Sequence, residues 1–254
     1  MNSRIAVVTG GLSGIGLACA QELILNGNIV AVGSRRCSSD AVNKVKEILG
    51  PDSFFYPLDV GCEKSVNMCC EKVTKELGNT SILVNSAGIY EPGLIVKPDS
   101  SRWYDQLKIN LSGPFLMTKA LMPSMIRNKF GRIVNVASTA GRISAAGYAG
   151  YCASKAGLIS LSKTTAIEGA PHNVSCVSVS PTWVETGMLE NAEIRHTVDQ
   201  HITKDAARKA LIASNPQGRL VQAKEIAALV AFACGDSCPA LTNEDIQVNA
   251  GAIW

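Results

Sequence analysis

The sequence lacks the features that mark several broad classes of protein. No apolar run reaches the roughly 18 residues that a membrane-spanning helix needs, so we expect no membrane span. The net charge of +3 is too small to indicate nucleic acid or a membrane surface as a partner. The first residues lead directly into a strand-like run, without the pattern of a secretory signal. We therefore expect a cytoplasmic protein.

Potential metal ligands are also few. The three histidines, His172, His196 and His201, show no ligand spacing with the cysteines. Nine cysteines are numerous, but their number is odd and no C-x-x-C motif occurs. Cys69 and Cys70 are adjacent within a predicted helix. We interpret the cysteines as small, reduced core residues of a cytosolic protein and predict no metal site.

Apolar runs with strand propensity alternate with amphipathic segments along the whole chain. The predicted strands are 4–9, 28–33, 54–58, 82–85, 132–137, 174–180 and 245–249. The predicted helices are 14–27, 39–49, 63–77, 101–128 with bends or breaks at Pro114 and Pro123, 152–169 and 223–234. This alternation is typical of parallel strands covered by helices on both faces. We predict a single α/β domain over 1–254, with a Rossmann-type doubly wound sheet of about seven strands.

The polar stretch 186–216 differs from the rest of the chain. A connection this long in a compact fold is often a functional lid, which we predict to cover the substrate. A pair of solvated surface helices fits the pattern equally well.

A glycine-rich segment joins the first predicted strand to the first predicted helix. Glycine lets a backbone approach a pyrophosphate closely, and a helix N-terminus supplies amide donors and a positive dipole end. No Gly-Lys-Ser/Thr follows, which excludes a Walker-type phosphate loop. The segment therefore predicts a dinucleotide site. The predicted cofactor contacts here are Gly10, Leu12, Ser13, Gly14, Ile15 and Gly16.

Two arginines, Arg35 and Arg36, end the second predicted strand, where folds that bind NAD place an acidic residue. Guanidinium groups suit the 2′-phosphate of NADP(H). A solvated basic turn is the alternative, but the glycine-rich segment upstream favours the phosphate. We predict NADP(H) as the cofactor, in preference to NAD(H).

Further cofactor contacts are predicted where later strands end. Asp59 and Val60 follow the third strand, where they could hydrogen-bond and pack on an adenine. Asn85, Ala87 and Gly88 lie at the end of the fourth strand, at the sheet edge that faces a ligand crevice. Each position is also compatible with an ordinary junction between strand and loop.

Tyr151 and Lys155 are four residues apart, so a helix would place both side chains on one face. A tyrosine with an ordinary pKa of about 10 is a poor acid–base catalyst near neutrality, but a nearby ammonium favours the phenolate and lowers that pKa. Ser138 ends a predicted strand thirteen residues upstream of the tyrosine, where its hydroxyl can bond a carbonyl oxygen. A tyrosine and a lysine four residues apart are common by chance. Only the predicted cofactor site makes a catalytic role for this pair the better interpretation.

In combination these motifs resemble those of the short-chain dehydrogenase/reductase family, in the branch whose chains have about this length. The resemblance rests on Thr-Gly-x-x-x-Gly-Ile-Gly at 9–16, Asp59, Asn-x-Ala-Gly from Asn85, Asn110, Ser138, and Tyr-x-x-x-Lys from Tyr151. It implies that Tyr151 is the proton donor, that Lys155 lowers its pKa and binds the nicotinamide ribose, and that Ser138 orients the carbonyl.

The resemblance also implies roles for residues that the motifs alone do not explain. Asn110 is expected to kink its helix and to hold a water in a proton relay to Lys155. Pro181, Val184 and Thr186 match the segment that contacts the nicotinamide carboxamide. In the family, the helices predicted here at 101–128 and 152–169 pair between subunits, and both carry much apolar surface. A homo-oligomer, either a tetramer or a dimer, is therefore expected.

The chain departs from the family pattern at a few positions. Ser86 replaces the second asparagine of Asn-Asn-Ala-Gly, which should affect local hydrogen bonding only. Thr182 and Trp183 follow Pro181 where the family usually has glycine, so side chains stand where glycine allows close approach to the cofactor. The tail 249–254 lacks the usual Asp-Gly-Gly.

Together, these residues predict an NADPH-dependent carbonyl reductase or alcohol dehydrogenase that transfers a hydride between nicotinamide and a ketone or aldehyde. Segments 136–140 and 183–186 are similar to those of reductases for 3-oxoacyl thioesters and polyketides. A regulatory protein that binds NADP(H) without turnover is an alternative, and a sugar-nucleotide epimerase usually needs a larger carboxyl-terminal domain. The candidate pocket residues, which could instead pack on the surface, are Arg142, Tyr148, Trp183 and Met188.

Overall fold

A sheet of seven parallel strands forms the centre of the protein. The structure is a computed structural model that describes residues 3–35, 37–96, 99–190, 193–194 and 202–252. The strand order is β3-β2-β1-β4-β5-β6-β7. The strands are β1 Ile5–Thr9, β2 Ile29–Ser34, β3 Ser53–Pro57, β4 Thr80–Asn85, β5 Gly131–Val136, β6 Val174–Pro181 and β7 Asp245–Val248. The prediction of a doubly wound sheet is confirmed.

Helices cover both faces of the sheet. They are α1 Gly14–Leu25, α2 Ser39–Leu49, α3 Glu63–Leu77, α4 Ser100–Leu107, α5 Gly113–Arg127, α6 Ala149–Gly169, α7 Lys204–Ala213 and α8 Ala223–Cys234. Because β1 pairs with both β2 and β4, the direction of winding reverses between β1 and β4. In open parallel sheets the ligand crevice lies at this reversal, beyond the carboxyl ends of the strands.

Alternating strand residues divide the core into two layers. Val8 and Val32 face the layer in which α1 and α8 contribute residues such as Leu23 and Ile226. Their neighbours along the strands face the other layer, which α3, α5 and α6 cover. That second layer includes Val7, Ala31, Leu83, Val66, Met117 and Ala166. Strands buried on both faces explain why the strand segments are continuously apolar.

The segment predicted as a long helix over 101–128 is helical throughout, but its interruption does not lie at the predicted prolines. A wide π-helical turn, Lys108–Ser112, separates α4 from α5. Asn110 lies in this turn and is fully buried. Pro114 falls in the first turn of α5, where a missing amide costs little, and Pro123 lies inside the helix without ending it. The kink therefore centres on Asn110, as the family resemblance implies, and not on the prolines.

The cysteines are only partly core residues. All nine are unpaired, and Cys19, Cys69, Cys70, Cys176 and Cys234 are buried, whereas Cys62 is exposed. The interpretation of all nine as core residues is therefore too broad. None of the helices in the described ranges combines the length and the apolar character that crossing a membrane requires.

A chain of buried amides links the middle strands to α6. The Asn85 amide on β4 donates to Asn135 Oδ1 on β5 at 2.8 Å. The Asn135 amide donates in turn to the Ser162 hydroxyl on α6, also at 2.8 Å. Asn135 is fully buried. Since water does not reach these groups, each depends on the next for its hydrogen bond.

We expect Asn135→Ala to destabilise the protein, because it leaves the Asn85 amide without an acceptor in the core. The expected loss in free energy of unfolding is about 1–3 kcal/mol. Urea unfolding followed by circular dichroism measures it, with Asn26→Ala as the control at an exposed helix end. Equal losses in the two variants would contradict the structural role of Asn135.

Candidate active site

A cavity of about 1140 Å³ opens at the carboxyl end of the sheet, where the winding reverses. Its walls come from the segments that follow β1, β2, β4, β5 and β6 and from the start of α6. The volume exceeds that of a typical pocket for one small ligand. It therefore suits a dinucleotide together with a substrate.

The glycine-rich segment packs so closely that side chains would clash. Gly10 has a φ of +69°, and a Cβ there would lie 2.9 Å from the Cα of Ala87. A Cβ on Gly16 would lie 2.5 Å from the carbonyl oxygen of Gly10. The Thr9 hydroxyl accepts hydrogen bonds from the amides of Ser86 and Ala87, both at 3.1 Å. These contacts fix the loops after β1 and β4 against each other.

The N-terminus of α1 meets the cavity without a capping side chain. Its N-cap residue Ser13 makes no side-chain cap hydrogen bond, and the first turn holds no acidic residue. In contrast, Ser38, Asp99 and Thr203 cap the helices α2, α4 and α7. The segment Leu12–Gly16 lines the cavity. Helix amides without an acceptor are a phosphate site, so the residues present fit a dinucleotide pyrophosphate.

Arg35 and Val60 line the same end of the cavity, as predicted for the adenosine end of a cofactor. Arg35 is exposed, and Arg36 lies outside the described residues. Asp59 does not line the cavity: its carboxylate accepts from the amide of Gly61 at 3.0 Å. The structure therefore shows Asp59 closing the turn before α3, and its predicted contact with adenine is not formed by a cavity-lining side chain.

The side chain of Asn85 does not reach the cavity. It is buried in the sheet on Asn135, whereas the following Ser86, Ala87 and Gly88 line the cavity. The replacement at Ser86 thus falls on a residue that lines the cavity. The sequence could not show the burial of Asn85, because its amide partner lies fifty residues away. Its contact with a cofactor stays a prediction.

Ser138, Tyr151 and Lys155 come together at the wall of the cavity. Ser138 follows β5, Tyr151 lies in the first turn of α6, and Lys155 lies one turn later. The Ser138 side chain lies near enough to the Tyr151 phenol to influence its pKa. The Lys155 ammonium donates to the carbonyl oxygen of Val136 at 2.7 Å and lies 5.7 Å from the centre of the Tyr151 ring.

The expected low pKa of Tyr151 is wrong for this arrangement. Burial raises the pKa of the phenol to about 12, and the Ser138 side chain opposes that rise. Burial also lowers the pKa of the Lys155 ammonium to about 8. Loss of water around both groups is therefore the largest influence on each pKa. Near neutrality the phenol carries its proton.

Asn110 does not line the cavity. Its side-chain oxygen accepts from the amide of Ile89 at 2.8 Å, and its amide donates to the Ile89 carbonyl and to the Ser154 hydroxyl. A Cβ on Gly88 would lie 3.3 Å from Asn110 Oδ1 and 3.8 Å from Lys155 Nζ. Asn110 thus positions the loop after β4 against α6. A water relay to Lys155 stays a prediction.

Pro181, Val184 and Thr186 line the cavity after β6, as predicted. The Thr182 hydroxyl, which stands where the family has glycine, donates to Asn215 Oδ1 at 3.1 Å. Val184 pairs with Val221 in an isolated bridge. These contacts hold the segment after β6 at the cavity with threonine in place of glycine.

Three of the four predicted pocket residues line the cavity: Tyr148, Trp183 and Met188. Arg142 does not, because its guanidinium bonds Asp245 Oδ2 at 2.5 Å at the start of β7. The sequence analysis missed Tyr90 and Glu91, which also line the cavity. The only sequence feature that could have identified them as cavity residues is their position shortly after Gly88, beyond the carboxyl end of β4.

Part of the predicted lid covers the cavity. Residues 187–189 and, from α7 and its end, Ala210, Leu211 and Ser214 line it. Leu189, Leu211 and Leu220 form a small core of their own, against which Trp183 packs. Residues 191–192 and 195–201 of the stretch lie outside the described residues. A lid function stays a prediction.

No group of three or more His, Cys, Asp or Glu side chains in the described ranges is arranged to hold a metal ion.

Comparisons with known proteins match this geometry. The family model described as short chain dehydrogenase matches residues 4–197. The chain is 32% identical to the 3-oxoacyl-(acyl-carrier-protein) reductase FabG of Haemophilus influenzae, over 99% of this chain and 98% of that protein. It is 35% identical to the same reductase of Escherichia coli, over 98% of this chain and 96% of that protein.

A solved structure is similar over the same span. A tryptophan variant of the actinorhodin polyketide ketoreductase, solved with NADPH, superposes with a TM-score of 0.94 at 31% identity, covering 99% of this chain and 97% of that chain. The matches and the shared geometry lead to one conclusion: this chain belongs to the short chain dehydrogenase family and is an oxidoreductase that acts at a carbonyl or hydroxyl group.

Proposed function

We propose that the protein is an NADPH-dependent carbonyl reductase in which Tyr151 donates a proton to the substrate oxygen. The proposal rests on one observation: the neighbouring side chains of Ser138 and Tyr151 line the cavity, with the Lys155 ammonium close behind them. The same cavity is bounded by the uncapped N-terminus of α1 and by Arg35, which fit a phosphorylated dinucleotide.

A bound nicotinamide coenzyme would supply the hydride that reduces the carbonyl carbon. The protein supplies the acid and the electrostatics. Ser138 and Tyr151 bind the carbonyl oxygen by hydrogen bonds, and Tyr151 gives its proton to that oxygen as negative charge develops. The positive charge of Lys155 stabilises the phenolate that remains.

The high pKa of Tyr151 favours this direction. A phenol with a pKa of about 12 is protonated at neutral pH and so is ready to act as an acid. Alcohol oxidation would need the phenolate first. At neutral pH, Tyr151 is therefore in the protonated state that carbonyl reduction requires.

NADPH is favoured over NADH by the cationic Arg35 at the end of β2. The solved ketoreductase with NADPH and the FabG reductases support the same preference. They also support a 3-oxoacyl thioester or a polyketide-like ketone as the substrate.

We also propose a homo-oligomer, a tetramer or a dimer, formed through α4, α5 and α6. These helices expose large apolar side chains: Tyr104 and Ile167 are each 66% exposed, and Phe115 is 49% exposed. Burying such residues between subunits is favourable.

Replacing Tyr151 by Phe removes the proton donor and keeps the ring. We expect kcat for NADPH-dependent reduction of a ketone to fall by about 100-fold or more. Affinity for NADPH, measured by fluorescence titration, should persist. The exposed Tyr104→Phe is the matched control and should keep its kcat. Near wild-type turnover in Tyr151→Phe would exclude the proton-donor role.

Replacing Arg35 by Asp removes a cation and introduces a charge that repels a 2′-phosphate. The ratio of kcat/KM for NADPH over NADH should fall by about tenfold or more. Arg127→Asp at the exposed end of α5 serves as the control, because it does not line the cavity. An unchanged ratio in Arg35→Asp would show that another group selects the coenzyme.

Reduction should slow as the pH rises through the pKa of Lys155. That pKa is lowered to about 8, so the ammonium is charged below this pH and loses its charge above it. The phenol stays protonated across the same range. A pH profile of kcat at saturating coenzyme and ketone measures the effect. A flat profile over about two pH units on either side of this value would contradict it.

A further inference from the structure

The wall of the cavity beside the catalytic tyrosine is aromatic. The Tyr90 ring lies 5.2 Å from the Tyr151 ring in an edge-on arrangement, and 5.3 Å from the Tyr148 ring. Trp183 and Met188 also line the cavity. The cluster of Tyr90 and Tyr148 therefore offers aromatic surface to whatever lies against Tyr151.

Glu91 follows directly in the chain and also lines the cavity. Its backbone is fixed on both sides by one buried side chain: the Glu91 amide donates to Gln106 Oε1 at 3.2 Å, and Gln106 Nε2 donates to the Glu91 carbonyl at 3.0 Å. Gln106 is only 3% exposed. The backbone from which the Glu91 side chain projects is thus held by a buried residue of α4.

The carboxylate of Glu91 forms no hydrogen bond or ion pair with the residues that the structure describes. Among the described residues that line the cavity, the others with formal charge are Arg35 and Lys155. Arg35 lies at the adenosine end, and the charged ammonium of Lys155 donates to the carbonyl of Val136 and not to Glu91. The aromatic end of the cavity therefore carries a carboxylate that no cation in the described part of the protein pairs with.

We propose that Glu91 determines substrate specificity by selecting ketones that carry a protonated amine on an aromatic or apolar body. A carboxylate accepts a charge-assisted hydrogen bond from an ammonium, and tyrosine and tryptophan faces attract cations. The same carboxylate repels a substrate carboxylate or phosphate brought to this end. This inference rests on the proposed reductase function and names the substrate class for that site.

The test uses three ketones of one shape and different charge: 4-(aminomethyl)acetophenone, 4-methylacetophenone and 4-acetylbenzoate. Each is reduced with NADPH by the wild-type protein and by Glu91→Gln, which keeps the size of the side chain. We expect wild-type kcat/KM to rank the amine first and the carboxylate last. In Glu91→Gln the ratio of amine to carboxylate should fall by about tenfold or more, which is about 1.4 kcal/mol.

Glu190→Gln is the matched control, because Glu190 is exposed in the stretch after β6 and does not line the cavity. Its ratio of amine to carboxylate should equal that of the wild type. An equal ratio in Glu91→Gln and the wild type would overturn the proposal, as would a wild-type preference for the carboxylate.

Binding measured by calorimetry with NADP⁺ present separates this inference from the proposed reaction. If no ketone is reduced but the amine binds more tightly to the wild type than to Glu91→Gln, the reductase function fails and the role of Glu91 stands. If the ketones are reduced and both proteins bind the amine equally, the role of Glu91 fails and the function stands. Failure of all three ketones to bind would overturn the inference.

Discussion

The hydrogen bond from the Lys155 ammonium to the Val136 carbonyl, at 2.7 Å, organises the site. Lys155 is only 5% exposed, so its charge has lost most of its water and depends on this oxygen. The bond also ties the middle of α6 to the carboxyl end of β5. Since Ser138 follows Val136 by two residues and Tyr151 precedes Lys155 by one turn, this contact helps to hold the segments that carry the two hydroxyls next to each other.

Burial at this point shifts the pKa of both ionisable groups, and the shift of Tyr151 is the one that favours reduction. The pKa of Tyr151 rises and that of Lys155 falls, each because the charged form loses hydration. The ammonium of Lys155 is charged before the reaction at neutral pH, and it would stabilise the phenolate that forms when Tyr151 gives up its proton. Burial therefore keeps the phenol protonated before the reaction, and the ammonium offsets part of the cost of ionising it as the proton moves to the substrate. Asn110 supports this geometry from behind by joining the loop at Ile89 to Ser154 on α6.

The sequence predicted best what depends on neighbours in the chain. The glycine-rich loop, the tyrosine and lysine one helical turn apart, and the alternation of strands and helices are all local, and the structure places them as expected. The side-chain partners of Asn85 and Arg142, which are Asn135 and Asp245, could not be found from the sequence because they are 50 and 103 residues away. Burial raises the pKa of Tyr151, which was expected to fall. Burial depends on the whole fold and cannot be read from a short motif.

Thr182 stands where the family usually has glycine, and the structure accommodates its side chain. A side chain in place of glycine gains a partner here, because its hydroxyl donates to the buried Asn215, whose amide donates in turn to the Arg219 carbonyl. The Val184–Val221 bridge adds a second link two residues later. The stretch that leaves β6 is thus joined, within a few residues, to the stretch that returns to α8. Contacts on both sides of α7 therefore hold these two stretches together beside the cavity.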